Sequence, residues 1–366
     1  MKLAIVHDFL TQFGGAERVI TALHELYPAA PIYTSIYDAN KLPESFRRMD
    51  IRTSWMQHLP LAGRWFKSYF LLYPLAFEQF DLSGYDVILS SSSAYAKGVK
   101  KQPGQLHICY CHTPMRFVWR YDDYVRREEL PELVKQWLPF LLEPLKEWDL
   151  KNSAGVDQFI ANSATVAGRI RKIYGRESVI INPPVETDFF RPGISDGDYF
   201  LIISRLSAYK RLDVALDAFR AADMPLRIIG DGPARRALER RAGPNTRFLG
   251  RLSDFAVAEQ LAGCRALVFT GEEDFGIAPL EAMAAGRPVI ALRAGGALET
   301  VVEGETGLFF SPQTPRALGE ALQRFRFLNF DKKRLREHAL GFSKAVFQRK
   351  IAGLLKEKYE EKFRQS

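Results

Sequence analysis

At 366 residues the chain exceeds the roughly 250–300 residues at which a single hydrophobic core stops growing, so two domains are expected. A hydrophobic fraction of 47%, a charged fraction of 26% and the lack of low-complexity tracts exclude a disordered or fibrous chain. The net charge of +8 favours anionic partners, whether phosphate-bearing ligands, nucleic acid or an anionic membrane, without choosing among them.

Three cysteines, Cys109, Cys111 and Cys264, cannot all pair, and the opening "MKLAIVHDFL" has no long apolar signal core. A reducing cytoplasm is the expected compartment. No run of 18 or more apolar residues occurs, so any action on a bilayer is exerted from its surface.

In chain order, "KLAIV" is an unbroken apolar run suited to a buried parallel strand, and "GGAER" leads from it into a helix ending near Tyr27. Similar strand runs recur at "DVILS", "LHICYC" and "VDQFIA". Asn162 and Ser163 then offer N-caps for the helix "ATVAGRIRKIY". Pro183, Pro184 and Pro192 punctuate the stretch before "DYFLIIS", which predicts a domain boundary near 190. From there "LRIIG", "TRFLG", "RALVF" and "RPVIAL" alternate with helical segments to about residue 343. The last segment, 344–366, places Phe347, Ile351, Leu354, Leu355 and Tyr359 on one face of a helix that packs back on the N-terminal domain. The fold class is α/β, with two doubly wound, Rossmann-like domains.

Ligands of open α/β sheets bind beyond the carboxyl ends of the strands. Three loops there carry the relevant chemistry. Gly14 and Gly15 follow the first strand and let bare backbone approach a phosphate at a helix start, although paired glycines usually mark only a turn. The loop lacks a G-x-G-x-x-G fingerprint, which argues against a dinucleotide oxidoreductase. In "SRLSAYKR" Arg205 and Lys210 combine a guanidinium fork with a compact ammonium, suited to one diphosphate; alone, the pair would read as a solvated basic turn. In "GEEDFGIAPLEAMAAGRP", Glu273 and Glu281 flank a short apolar run, and Gly276 admits the chain to a helix. An amphipathic helix burying Ile277, Leu280, Met283 and Ala284 is the plain alternative there.

Together these residues resemble glycosyltransferase family 4, the retaining nucleotide-sugar transferases of the GT-B fold, whose two domains face a central cleft. The resemblance runs through "FGGAER", "CHTPMR", "SRLSAYKR", "IIGDGP", "EEDFGIAPLEAMAAGRPVIA", "AGGALETV" and "GETGLFF", in order along nearly the whole chain. "VHDFLTQFGGAERV" and "CHTPMRFVW" are most similar to bacterial members that use GDP-mannose in surface-polysaccharide assembly. The resemblance implies that Glu273 contacts the transferred sugar and that Glu281 binds the nucleotide ribose. It also implies that amides around Phe275, Gly276 and Ile277 hold the diphosphate or sugar, and that Arg205 and Lys210 neutralise the diphosphate. Gly14 and Gly15 match the loop that closes over it from the other domain, and His112 matches a histidine near the sugar.

No cofactor or metal is expected. "DGD" at 196–198 imitates a metal-binding pair but reads as a turn, and Cys109 and Cys111 alternate along a buried strand. "DFG" at 274–276 has no accompanying kinase elements. The expected partners are a nucleotide sugar, GDP-mannose above all, and a glycan or polyprenol-diphosphate-linked acceptor, with no nucleic acid. A sugar-nucleotide epimerase of similar architecture and a non-catalytic nucleotide-sugar-binding scaffold are the alternatives. Finally, 51–77 lacks acidic residues while Arg52, Arg64 and Lys67 interleave with Trp55, Met56, Trp65, Phe66, Tyr69, Phe70 and Tyr73. That mixture suits either a segment at an anionic membrane surface, peripheral to the inner face of the cell membrane, or a helix packed on the first sheet.

Overall fold

The computed structural model of the chain describes residues 1–121, 132–193 and 197–363. The chain divides into two compact units, Met1–Pro184 with Ala345–Ser366, and Val185–Lys344.

The first unit is built on strands β1 (Leu3–His7), β2 (Ile32–Thr34), β3 (Ile51–Thr53), β4 (Val87–Ser92), β5 (Leu106–Cys111), β6 (Gln158–Ala161) and β7 (Ser178–Ile180). They form one sheet in the order β3-β2-β1-β4-β5-β6-β7, and every pairing is parallel. β1 shows why an unbroken apolar run is needed. Leu3 and Ile5 enter a core with Val19, Ile20 and Leu23, while Ala4 and Val6 enter the opposite core with Met56, Tyr73 and Phe77. Both faces are covered, so alternation would have buried polar groups. Ser163 caps the helix Ala164–Tyr174 by accepting from the Val166 amide. The helix Lys344–Phe363 buries Phe347, Ile351, Leu354 and Leu355 against the β1 side of the sheet, with Tyr359 partly buried beside them.

The second unit is built on β8 (Phe200–Ile203), β9 (Leu226–Ile229), β10 (Thr246–Gly250), β11 (Leu267–Phe269), β12 (Val289–Leu292) and β13 (Gly307–Phe310). Its parallel order is β10-β9-β8-β11-β12-β13. Phe200 and Ile202 face one core and Leu201 the other. Val185 and Phe190 are buried in this unit's core.

The stretch 51–77 is not one continuous surface segment. It opens with edge strand β3, and Met56, Tyr73, Ala76 and Phe77 are buried, while Trp55, Leu61, Trp65, Leu71 and Leu75 remain exposed. Arg52 pairs with Asp50 and donates to the Tyr33 hydroxyl. No described helix is long and apolar enough to cross a membrane.

Candidate functional site

In each sheet the chain order reverses at one place, between β1 and β4 in the first unit and between β8 and β11 in the second. Loops leaving neighbouring strands in opposite directions open a crevice at such a point.

In the second unit, β8 runs into the loop holding Arg205 and Lys210. The loop is tied to the one after β9: the Leu206 amide donates to the Asp231 carbonyl at 3.0 Å, and the Ala234 amide to the Leu206 carbonyl at 2.9 Å. Gly230, in "IIGDGP", has φ +129 and lies against the Ser204 carbonyl, so no side chain fits there. On the other side the Thr270 hydroxyl, just past β11, donates to the Lys210 carbonyl at 3.0 Å. These backbone ties bring Lys210 Nζ onto Glu273 Oε1 as a mostly buried ion pair. Arg205 stands on the same loop, exposed and without an ion pair among the described residues.

Beyond Glu273, Phe275 is buried and Gly276 has φ +86 with the Phe269 ring against it. The helix Ile277–Ala284 follows, and its first amides lack intrahelical partners. The helix is not amphipathic in the ordinary sense, because residues 279–284 are all buried, and Glu281 is only 7% exposed within it. A solvated carboxylate face is therefore ruled out for Glu281. The Gly296 amide donates to the Glu273 carbonyl at 2.9 Å, so "AGGALETV" buttresses the Glu273 loop from behind.

In the first unit, the Gly14 amide donates to Glu17 Oε2 at 2.8 Å, which holds the glycine loop at the start of the helix Gly15–Leu26. His112 follows β5; its Nε2 lies 2.8 Å from Ser91 Oγ, and its carbonyl accepts from Asn162 at 3.0 Å.

Two groups that sequence reasoning passed over also shape this end of the sheet. Buried Asp8 follows β1 and accepts four backbone amides, those of Ser93, Ala94, Tyr95 and Ala96, at 2.6–3.0 Å. Buried Lys97 pairs with buried Asp149, whose Oδ2 accepts from Trp119 Nε1 and the Tyr174 hydroxyl, each at 2.7 Å. The 93–98 turn is thus locked from both sides. The only signal for Asp8 was its position directly after the first strand.

All three cysteines are free and buried, and burial pushes the Cys109 and Cys264 thiols up to about 12. No group of three or more metal-ligating side chains comes together among the described residues. Of "DGD", Asp196 lies outside those residues.

Two parallel, doubly wound sheets, each with polar loops at its reversal point, define an α/β protein of the GT-B fold. Solved structures agree: sucrose-phosphate synthase from Thermosynechococcus elongatus superposes with TM-score 0.78 at 18% identity, covering 99% of this chain and 100% of that one. Anabaena HepE in complex with UDP gives TM-score 0.73 at 16% identity, covering 98% and 100%. Residues 13–189 match Glycosyltransferase Family 4, and residues 184–339 match Glycosyl transferases group 1. In tandem these matches place the chain in glycosyltransferase family 4.

Among relatives, an uncharacterized glycosyltransferase of Methanocaldococcus jannaschii is 28% identical, the match covering 56% of this chain and 60% of that protein. O-antigen chain mannosyltransferase C of Escherichia coli is 30% identical over 52% of this chain and 56% of its own length. The alpha-1,3/1,6-mannosyltransferase ALG2 of Homo sapiens is 25% identical over 85% and 84%.

Proposed function

We propose that the chain is a retaining glycosyltransferase that moves mannose from GDP-mannose to a hydroxyl of a lipid-linked or other glycan acceptor. The observation that carries this reading is the meeting of Lys210 and Glu273 at the reversal point of the second sheet, with Glu281 buried in the helix behind them. The hard step is departure of the nucleotide diphosphate, when an oxocarbenium-like centre forms and negative charge grows on the leaving oxygens. Lys210 and Arg205 supply fixed positive charge for those oxygens, and the amides at the start of the helix Ile277–Ala284 add donors. Glu273 lies against the sugar and Glu281 takes the ribose. His112 and the Gly14–Gly15 loop serve the sugar and the diphosphate respectively.

The choice of mannose is supported by mannosyltransferases among the relatives. HepE holds UDP, so the donor base is the point to test. A thermal-shift panel of GDP, UDP, GDP-mannose and UDP-glucose, followed by transfer assays with and without EDTA, does so. GDP-mannose is expected to stabilise most, and transfer to survive the chelator. Stabilisation by UDP compounds alone would overturn the donor, loss of transfer restored by Mg²⁺ would overturn the metal-free mechanism, and turnover without any acceptor would favour the epimerase.

The acceptor reading extends to a lipid surface at the inner face of the cell membrane. Trp55, Leu61, Trp65 (51% exposed) and Leu71 stand out beside exposed Arg64 and Lys67. The helix Glu132–Ser153 exposes Trp137, Phe140 (72%) and Leu141 while its Leu142 and Leu145 enter the same core as Met56 and Tyr73. Exposed aromatics and cations on two elements of one core suit the headgroup layer of an anionic bilayer.

A further inference from the structure

Beneath the carboxyl ends of β1, β4 and β5 lies a chain of polar side chains inside apolar walls. Glu17 Oε1 is 3.7 Å from His7 Nε2, with both side chains only 3–4% exposed. His7 Nδ1 is 3.1 Å from the Ser91 carbonyl and 3.3 Å from Ser91 Oγ. Ser91 Oγ is 2.8 Å from His112 Nε2. At the far end, Glu17 Oε2 accepts the Gly14 amide.

The proton positions follow from what each atom can do. A carbonyl oxygen only accepts, so His7 Nδ1 must carry a hydrogen; a bare nitrogen there would set one lone pair against another in a buried site. That holds whether His7 is neutral or charged. Ser91 Oγ therefore does not donate to His7, which leaves its hydrogen available to His112 Nε2 at 2.8 Å. Donation there makes Nε2 the acceptor nitrogen of His112 and puts the ring hydrogen on Nδ1.

We infer that Ser91 and His7 are positioning residues that hold His112 in the neutral Nδ1–H form, and that Glu17 couples this array to the Gly14–Gly15 loop. The inference rests on the reading of His112 as the histidine beside the sugar. A histidine fixed in one tautomer presents a donor of defined direction to a sugar hydroxyl or ring oxygen, with no cost of reorganisation as the glycosidic bond breaks. The register that makes this possible is the parallel pairing of β1 with β4, which sets His7 opposite Ser91.

The test combines ring nitrogen spectroscopy with kinetics on the full chain. With ¹⁵N-labelled histidine, and the His112 signals assigned by their loss in His112→Gln, the wild type is expected to show an unprotonated Nε2 and a protonated Nδ1. Ser91→Ala, which preserves volume, should mix the tautomers and lower kcat about ten-fold with donor KM unchanged, since one directed hydrogen bond is lost. Ser91→Thr keeps the hydroxyl and should restore both. A wild-type His112 protonated on Nε2 overturns the inference, and so does a Ser91→Ala enzyme with wild-type kcat. Should Ser91→Ala fail to fold, the wild-type spectrum decides alone. Should the wild type transfer no sugar from any nucleotide sugar, the proposed function falls, and the tautomer still decides the array.

Discussion

Lys210 and Glu273 form a mostly buried ion pair that joins the loop after β8 to the loop after β11. The cation assigned to the diphosphate is paired with the carboxylate assigned to the sugar. A diphosphate that takes Lys210 as its cation competes with Glu273 for it. Glu273→Gln removes the competing anion, so GDP affinity is expected to be kept or raised while kcat falls by about 10² to 10³. Lys210→Ala should lower both affinity and turnover. Titration calorimetry with GDP beside steady-state assays separates the two effects, and a Glu273→Gln enzyme with near-wild-type turnover would remove Glu273 from the site.

Glu281 is buried in an apolar helix, where a carboxylate is retained for a partner rather than for solubility. A ribose contact persists from ground state to transition state, so Glu281→Gln is expected to raise donor Kd and KM and to leave kcat nearly unchanged. An unaltered Kd for GDP-mannose would refute that role.

His107 gives a pH signature of the fold. It is fully buried on β5, and desolvation, with a further push from Lys101, lowers its pKa to about 3; its Nε2 lies 2.8 Å from Ser90 Oγ. The unfolded chain protonates this histidine below its ordinary 6.5, whereas the folded chain resists until about 3. Stability is therefore lost as pH falls through that window, by about 3 kcal/mol from this group between 6.5 and 4. His107→Gln removes the linkage. Urea-unfolding free energies measured from pH 7 downward should fall less steeply in the variant, and parallel slopes would show that His107 is not the titrating group.

The exposed aromatics predict binding to anionic vesicles. Wild type should co-sediment with phosphatidylglycerol-containing liposomes, less so at 1 M salt, where the Debye length is about 3 Å. Arg64→Glu with Lys67→Glu should release the protein while GDP binding persists. Trp65→Ala should weaken sedimentation even at low salt, since its share comes from apolar insertion. A folded wild type that never sediments would overturn the membrane contact.

Much of this architecture is written in local pattern. "KLAIV", "LHICYC" and "DYFLIIS" announce strands because a parallel strand covered on both faces must be apolar at every position. Ser163 announces a helix start because a side-chain oxygen must serve an orphan amide. The position of "SRLSAYKR" and "EEDFG" after strands made them ligand candidates. By contrast β2, β3, β7 and β13 are short, three or four residues each, and β3 and β7 lie at a sheet edge where one side faces no partner. They read IYT, IRT, SVI and GLFF, each broken by a polar residue or a glycine, whereas the equally short β11 reads LVF and shows as an unbroken apolar run. For the run 51–77 composition left two readings open because it cannot tell the buried Tyr73 from the exposed Trp65.

Local pattern specified the set of chemical groups and the strands that deliver them: a lysine-bearing loop, a glutamate-bearing loop, a glycine turn, a histidine after "ICYC". Which groups meet was decided only by tertiary structure. Lys210 reaches Glu273 because β8 and β11 are neighbours, His7 reaches Ser91 because β1 pairs with β4 in one register, and Asp8 finds four amides because the turn after β4 folds over it. The physical reason is that parallel pairing joins segments far apart in the chain, and a shift of one residue would turn every side chain to the other face.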